Sequence, residues 1–369
     1  MRIPFLRPEI REEDIEEVVR VLRGGWLVLG EETKKFETAF AEYLGASDAV
    51  FVNSCTAAIQ ISLVMAGVGE GDEVIVTPLT YVSSVTPILH CGAKPVFVDV
   101  EHETGLIDCA KMRGALTAKT KAIIPVHLYG QMAHMRELQR IAGGQDLAII
   151  EDAAHAIEAE RDGVRPGGLS TTACFSFHTA KNICAGTGGM IVTNDSVLTE
   201  RARLLRRDGV QAGTHRRMIE LGHRAFCTDF QAALLRSQLH RIDAQWEARK
   251  RAYERYAEAF RANGIRFNPV VPGSKHSYHM IVIFVQSDRR DAIREELSRA
   301  GVETSIHYDP VHLEPYFQKT FGFRPGDFPI AESFGFSAIT LPLYPSLTEE
   351  EQNYVIEQVL KMASTPVRT

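Results

Sequence analysis

The sequence is short of several things. Its six cysteines (55, 91, 109, 174, 184, 227) are scattered, with no C-x-x-C pair. Such usage argues against a disulfide framework and a cysteine zinc site, and it fits a reducing, cytoplasmic setting. No apolar run reaches 18 residues, so no membrane-spanning helix is expected. The opening "MRIPFLRPEIREED" lacks a signal-peptide core and turns acidic at once, so export is not expected either. A net charge of -6 gives no reason to expect a nucleic-acid partner. The one dense basic stretch, "RARLLRR" (201–207), reads as a solvated helix face or as a local contact to a phosphate-bearing ligand. Neither an internal repeat nor a low-complexity tract is present.

What remains is an ordinary globular composition. Hydrophobic residues make up 45% and charged residues 24% of 369 positions, enough for one large core and a smaller domain. Ile15, Val18, Val19 and Leu22 mark an amphipathic helix stopped by Gly24, and "ETKKFETAFAEYLG" repeats the design with Phe36, Phe40 and Leu44. Between them lies the glycine-bounded loop "GGWLVLG", whose Trp26 is either a core residue or part of a closing flap. From residue 49 seven apolar runs follow one another: "AVFV", "EVIVTP", "PVFVDV", "KAIIPVHLY", "LAIIED", "ACFSF" and "MIVTND". Helical segments or turns separate most of them, which predicts an α/β fold with a mostly parallel sheet covered on both faces. Beyond about residue 250 that rhythm stops, and a strand among helices suggests a smaller C-terminal α+β domain. The expected division is 1–249 and 250–369.

In parallel sheets ligands sit beyond the carboxyl ends of the strands, so each strand end is a place to look. "NSCTAAI" offers small polar residues, Ser54, Cys55 and Thr56, opening a helix; this is a phosphate site or a plain N-cap. "PLTYVSS" puts Tyr81 where a ring could stack on a flat ligand, although tyrosine is often core. "IIEDAAHA" ends in Asp152, with His155 just beyond. A carboxylate there can hold a proton on a heterocyclic nitrogen, or simply cap a helix. In "FSFHTAKNICAGTGG" a strand carrying Ser176 ends in Lys181, and Gly186, Gly188 and Gly189 follow. A lysine amine is protonated at neutral pH unless desolvated or captured as a Schiff base. Phosphate donors, an aromatic plate, a carboxylate and an amine at successive strand ends are together what covalent binding of pyridoxal phosphate requires.

These segments, with "GWLVLGEETKKFE", "GAKPVFVDV", "TDFQAAL", "IHYDPVHLEPYF" and "LPLYPSLTEEE", resemble the DegT/DnrJ/EryC1/StrS family of sugar aminotransferases almost end to end. The resemblance implies fold type I of the pyridoxal phosphate enzymes. It makes Lys181 the internal-aldimine residue and proton carrier, and Asp152 the partner of the pyridine nitrogen. Tyr81 becomes the plate over one ring face, His155 a neighbour on the cofactor side, and Thr56 and Ser176 phosphate ligands beside Ser54 and Cys55. It also implies a homodimer with shared active sites, one chain completing the other's phosphate site. Three positions depart from the family pattern: Cys55 replaces a glycine, Thr187 an acid, and "GHRAF" (222–226) the usual Gly-Tyr-Asn-Tyr-Arg, so that Arg224 is the candidate phosphate contact there.

The implied reaction is a ping-pong transfer of an amino group from L-glutamate to a keto sugar linked to a nucleotide. Lys181 argues against the dehydrating branch that carries histidine at this position. His155, where relatives acting on 3-keto sugars carry glutamine, tilts the choice towards a 4-keto sugar. Trp26, Thr187, His307, Tyr308 and His312 are the candidate substrate contacts. His307 and His312 lack a third ligand for a metal, so none is expected. A keto-sugar dehydratase, a keto-cyclitol aminotransferase and a non-catalytic cofactor-binding regulator stand as alternatives.

Overall fold

The computed structural model describes residues 1–363, except 146, 212, 214 and 215. All seven apolar runs form strands of one sheet: β1 (Asp48–Val52), β2 (Glu73–Val76), β3 (Lys94–Phe97), β4 (Thr120–Ile124), β5 (Ala148–Asp152), β6 (Thr172–Ser176) and β7 (Gly189–Thr193). Their order across the sheet is β1-β7-β6-β5-β4-β2-β3, and β7 alone runs antiparallel to its neighbours. The carboxyl ends of the other six therefore lie along one edge. Nearly every strand residue is buried, because helices cover both faces and leave no place for a polar alternation.

The two N-terminal helices, α1 (Glu12–Gly24) and α2 (Glu31–Leu44), form where the periodicity places them. Helix α2 turns Phe36, Phe40 and Leu44 into the core under the sheet. There Phe36 and Phe40 meet Phe51, Phe175 and Phe177 with ring centroids 5.1 to 5.5 Å apart in edge-on contacts. Burial of each such ring stabilises the fold by about 1.5–3 kcal/mol. Helix α1 behaves differently. Its stripe faces outwards, with Ile15 and Leu22 about half exposed, while Asp14 is fully buried and bonded to Arg241 at 2.7 Å.

A second sheet of three antiparallel strands, β8 (Arg266–Phe267), β9 (Ile281–Phe284) and β10 (Ala338–Leu341), packs with the helices Ile242–Ala262, Arg290–Arg299 and Glu349–Ala363. The helix Ile242–Ala262 runs unbroken through residue 249. No described helix is long and apolar enough to cross a membrane.

Candidate active site

Strands β6 and β7 pair as a hairpin, and the loop between them carries Lys181. Phe177 N–H donates to the Gly188 carbonyl (2.9 Å) and Ala185 N–H to the Phe177 carbonyl (3.0 Å), which closes the loop on itself. Its far side is anchored by Gln238, whose side-chain amide accepts from Cys184 N–H (3.0 Å) and donates to the Cys184 carbonyl (2.8 Å). Phe175 and Phe177 go into the aromatic core. Ser176, between them, faces the opposite side, where a cavity of about 370 Å³ opens.

That cavity gathers expected residues from four strand ends. Ser54, Cys55 and Thr56 follow β1, Tyr81 follows β2, Asp152 and His155 end β5, and Ser176 and Lys181 end β6; Thr187, His307 and Tyr308 complete the set. Ser54 also caps helix α3 (Cys55–Met65), its Oγ accepting from Ala57 N–H at 3.1 Å. The expected cap and the expected cavity wall are thus one structure. The first N–H groups of α3, those of Cys55 and Thr56, have no acceptor within the helix, and such a terminus suits an anion. Asp152 is held on both oxygens: Ser84 Oγ donates to Oδ2 (2.6 Å) and Ala154 N–H to Oδ1 (3.1 Å). The Cys55 thiol lies 3.9 Å from Oδ1; burial pushes its pKa well up, so it stays a thiol.

Burial also pushes the Lys181 amine down to about 8, against the opposing pull of Asp152. Three histidines around it are held neutral, chiefly by burial: His155 and His279 well below the usual range, and His307 at about 3. His155 Nε2 lies 3.1 Å from the Tyr308 hydroxyl, and its ring lies 4.5 Å from that of His279. Tyr81 stands at the rim, 57% exposed, with its ring 5.8 Å from Tyr308.

Three expected residues do not join this group. His312 is fully buried among Phe97, Phe323 and Phe328 and bonded to Glu332 at 3.0 Å, as a core histidine. Trp26 is 69% exposed outside the cavity, its indole N–H donating to the Val28 carbonyl at 2.9 Å. Arg224 also lies outside; its side chain is 77% exposed and pairs with Asp208 at 3.8 Å. Thr187 lines the cavity, but its hydroxyl donates to the Asn53 carbonyl at 2.9 Å. Residues that sequence reasoning passed over include Ser84, Asn182 and His279. Ser84 and Asn182 lie inside "PLTYVSS" and "FSFHTAKNICAGTGG", whereas His279 lies next to the strand beyond residue 250, in a run with no sign of chemistry.

These residues fit pyridoxal phosphate: a poised amine, a fixed carboxylate, a helix N-terminus with hydroxyls, and an unpartnered buried His155 Nδ1 all border one space. The family model for DegT/DnrJ/EryC1/StrS aminotransferases matches residues 8–360. The chain belongs to that family. It is 35% identical to the GDP-perosamine synthase of Caulobacter vibrioides over 97% of this chain and 98% of that protein. Among solved structures, DesV of S. venezuelae, captured with a ketimine intermediate, superposes with a TM-score of 0.94 at 35% identity over 99% of both chains. Spr1654 of Streptococcus pneumoniae in its PLP form gives 0.94 at 31% identity over 98% of this chain and 99% of that one. The expected fold type I, the pyridoxal phosphate cofactor and the class of enzyme, a sugar aminotransferase, are therefore borne out.

Proposed function

We propose that the chain transfers an amino group from L-glutamate to the C4 carbonyl of a nucleotide-linked keto sugar, in two half-reactions at one site. The observation that carries the reading is Lys181: an enclosed amine with a pKa near 8, bordering the same cavity as Asp152 and the α3 terminus. When bound, pyridoxal phosphate supplies an electrophilic carbonyl carbon and a ring that withdraws electrons from the bond being broken. Lys181 Nζ would carry the proton away from Cα of the donor in one half-reaction and deliver one to the sugar carbon in the other. Asp152 holds the proton of a ring nitrogen. Thr56, Ser176 and the free α3 N–H groups bind the phosphate. Tyr81, at the rim, would cover one face of the ring. His155, neutral and hydrogen-bonded to Tyr308, would stand on the cofactor side of the pocket; its presence instead of glutamine supports the C4 preference. Glutamate as donor follows from the family resemblance.

The same reading includes a homodimer in a reducing, cytoplasmic setting, with Arg224 serving the neighbouring chain's phosphate site, and the 1–249 and 250–369 division. Outward-facing Arg224 supports the dimer, and the six free cysteines the reducing setting. The test is a panel of nucleotide-linked 3-keto and 4-keto sugars incubated with glutamate. A 4-keto sugar should yield aminated product and 2-oxoglutarate in equal amounts. Keto sugar consumed without matching 2-oxoglutarate would instead favour a dehydratase, and amination of the 3-keto series alone would move the reaction to C3.

A further inference from the structure

Lys181 borders two spaces. In front is the 370 Å³ cavity; behind is a smaller one of about 50 Å³ that shares only Ala180 and Lys181 with it. At the ~30 Å³ a water occupies in the liquid, the rear space has room for one or two molecules. Its walls come from the Lys181 loop, the helix Ile242–Ala262, the N-terminal segment 6–9 and the segment 343–345.

The lining is polar and under-satisfied. Gln245 Oε1, Arg249 Nε and Nη1, His279 Nε2 and the Tyr344 hydroxyl have no partner within the protein, and they are five of the fourteen such atoms among the described residues. All four residues are at most 7% exposed. Their other polar atoms explain which roles are left. Arg249 gives Nη2 to Glu158. Asn182 donates Nδ2 to both Glu158 oxygens (3.1 and 2.8 Å), so its Oδ1, 2.9 Å from His279 Nδ1, must accept. The proton of neutral His279 then sits on Nδ1, and Nε2 is left as an acceptor. Two N–H donors, two acceptors and one hydroxyl around a water-sized space are a set that water satisfies. Left bare, each would cost about 1–3 kcal/mol.

We propose that the rear cavity is a solvent site, in which ordered water held by Arg249, Gln245, His279 and Tyr344 hydrates Lys181 from the side away from the substrate and sets how readily its amine keeps a proton. The titratable groups around Lys181 include Asp152, Cys55, His155, His307 and Tyr308 at the front, and His279, Arg249, Tyr344, Arg7 and Glu9 around the rear cavity. Among them only Asp152 raises its proton affinity as an ionised neighbour, so hydration is the remaining counterweight to burial. Its use in turnover rests on Lys181 being the reacting amine; its existence does not.

The test labels Lys181 of the cofactor-free full chain with acetic anhydride across a pH series and reads the modified peptide by mass spectrometry. Gln245→Leu keeps the bulk and removes the amide, and Tyr344→Phe removes only a hydroxyl. Both should lower the labelling midpoint. Gln245→Leu should do so by about one unit, making labelling at pH 7 several-fold faster, and Tyr344→Phe by less. A crystal structure of the wild-type holoenzyme should show one or two waters bonded to Arg249 Nη1 and His279 Nε2. Unmoved midpoints in the folded variants, a dry cavity, or a bound anion in place of water would overturn the proposal. If Gln245→Leu does not fold, Tyr344→Phe and the density still decide. No donor, sugar or cofactor enters the labelling, so its outcome is independent of whether any keto sugar is aminated.

Discussion

Lys181 is the residue on which most of the proposed chemistry turns. Its amine, pushed down to about 8, is partly unprotonated near neutrality, whereas a surface lysine has only a trace of free amine there. On the proposed reading, Lys181→Ala removes both the covalent anchor and the proton carrier. Turnover, followed as 2-oxoglutarate from glutamate, should fall at least ~10³-fold, and borohydride treatment should no longer fix pyridoxal phosphate to this peptide. Retained turnover would move the role elsewhere. The position of Lys181 could be read from the sequence, as could those of Asp152, Tyr81 and Ser176, because each closes an apolar run and strand ends converge in a parallel sheet. The surroundings of Lys181 could not. Asn182 meets His279 across 97 positions and Arg249 meets Glu158 across 91, pairings that no local pattern encodes. His312 misled for a related reason: it sits near His307 in sequence, yet one ring enters the cavity and the other a phenylalanine cluster.

At the scale of elements, the site depends on how closely β7 approaches the start of α3. A side chain at Gly189 would put Cβ 2.4 Å from the Ser54 carbonyl carbon and oxygen and 2.6 Å from Cys55 N, all backbone atoms that cannot rotate away. Gly189→Ala should therefore displace the α3 terminus and weaken cofactor binding at least tenfold, about 1.4 kcal/mol, measured by absorbance titration with pyridoxal phosphate. Gly186→Ala is the control. Nothing lies within 4 Å of its Cβ, so the variant should bear only the local cost of φ +78° and keep its affinity. Equal affinity in both variants would detach phosphate binding from this contact. The elements themselves were legible, since all seven strands and the two N-terminal helices follow from run length and periodicity. The outward turn of α1 was not, because an apolar stripe states that something covers it and not what does. Here Arg241 claims the inner face through Asp14, and Ile15 and Leu22 are left to solvent or to a partner.

For the whole molecule, two consequences follow from what is buried and what is not. His155, His276 and His279 are buried and held neutral, His276 at about 3. A histidine with a lowered folded pKa binds fewer protons than its unfolded counterpart, so stability is lost as pH falls below about 6.5. Each should contribute about 1 kcal/mol of loss between pH 7 and 5.5; Glu158, raised by burial, acts with the opposite sign but is one group against three. Urea midpoints of the cofactor-free protein should fall over that interval, and a flat profile would mean that these rings are solvated. The outer surface, in turn, carries Leu22, Trp26, Leu27 and Val28 together with Met218, Ile219 and Leu221, exposed by 41 to 77%. Leu29, Val210 and Ile219 line one groove together with charged side chains that include Lys34, Arg203 and Arg207. Exposed apolar side chains on two neighbouring segments, rimmed by charge, suit a partner surface. The segment 217–226 also carries Arg224, whose largely exposed side chain pairs with Asp208 at 3.8 Å. Leu221→Asp should therefore convert a species sedimenting at twice the chain mass into one at the chain mass, and lower cofactor affinity in parallel, because a separated chain loses the arginine of its neighbour. A wild-type protein that sediments as a monomer at full activity would show that each chain completes its own phosphate site, and Arg224 would then be an ordinary surface residue.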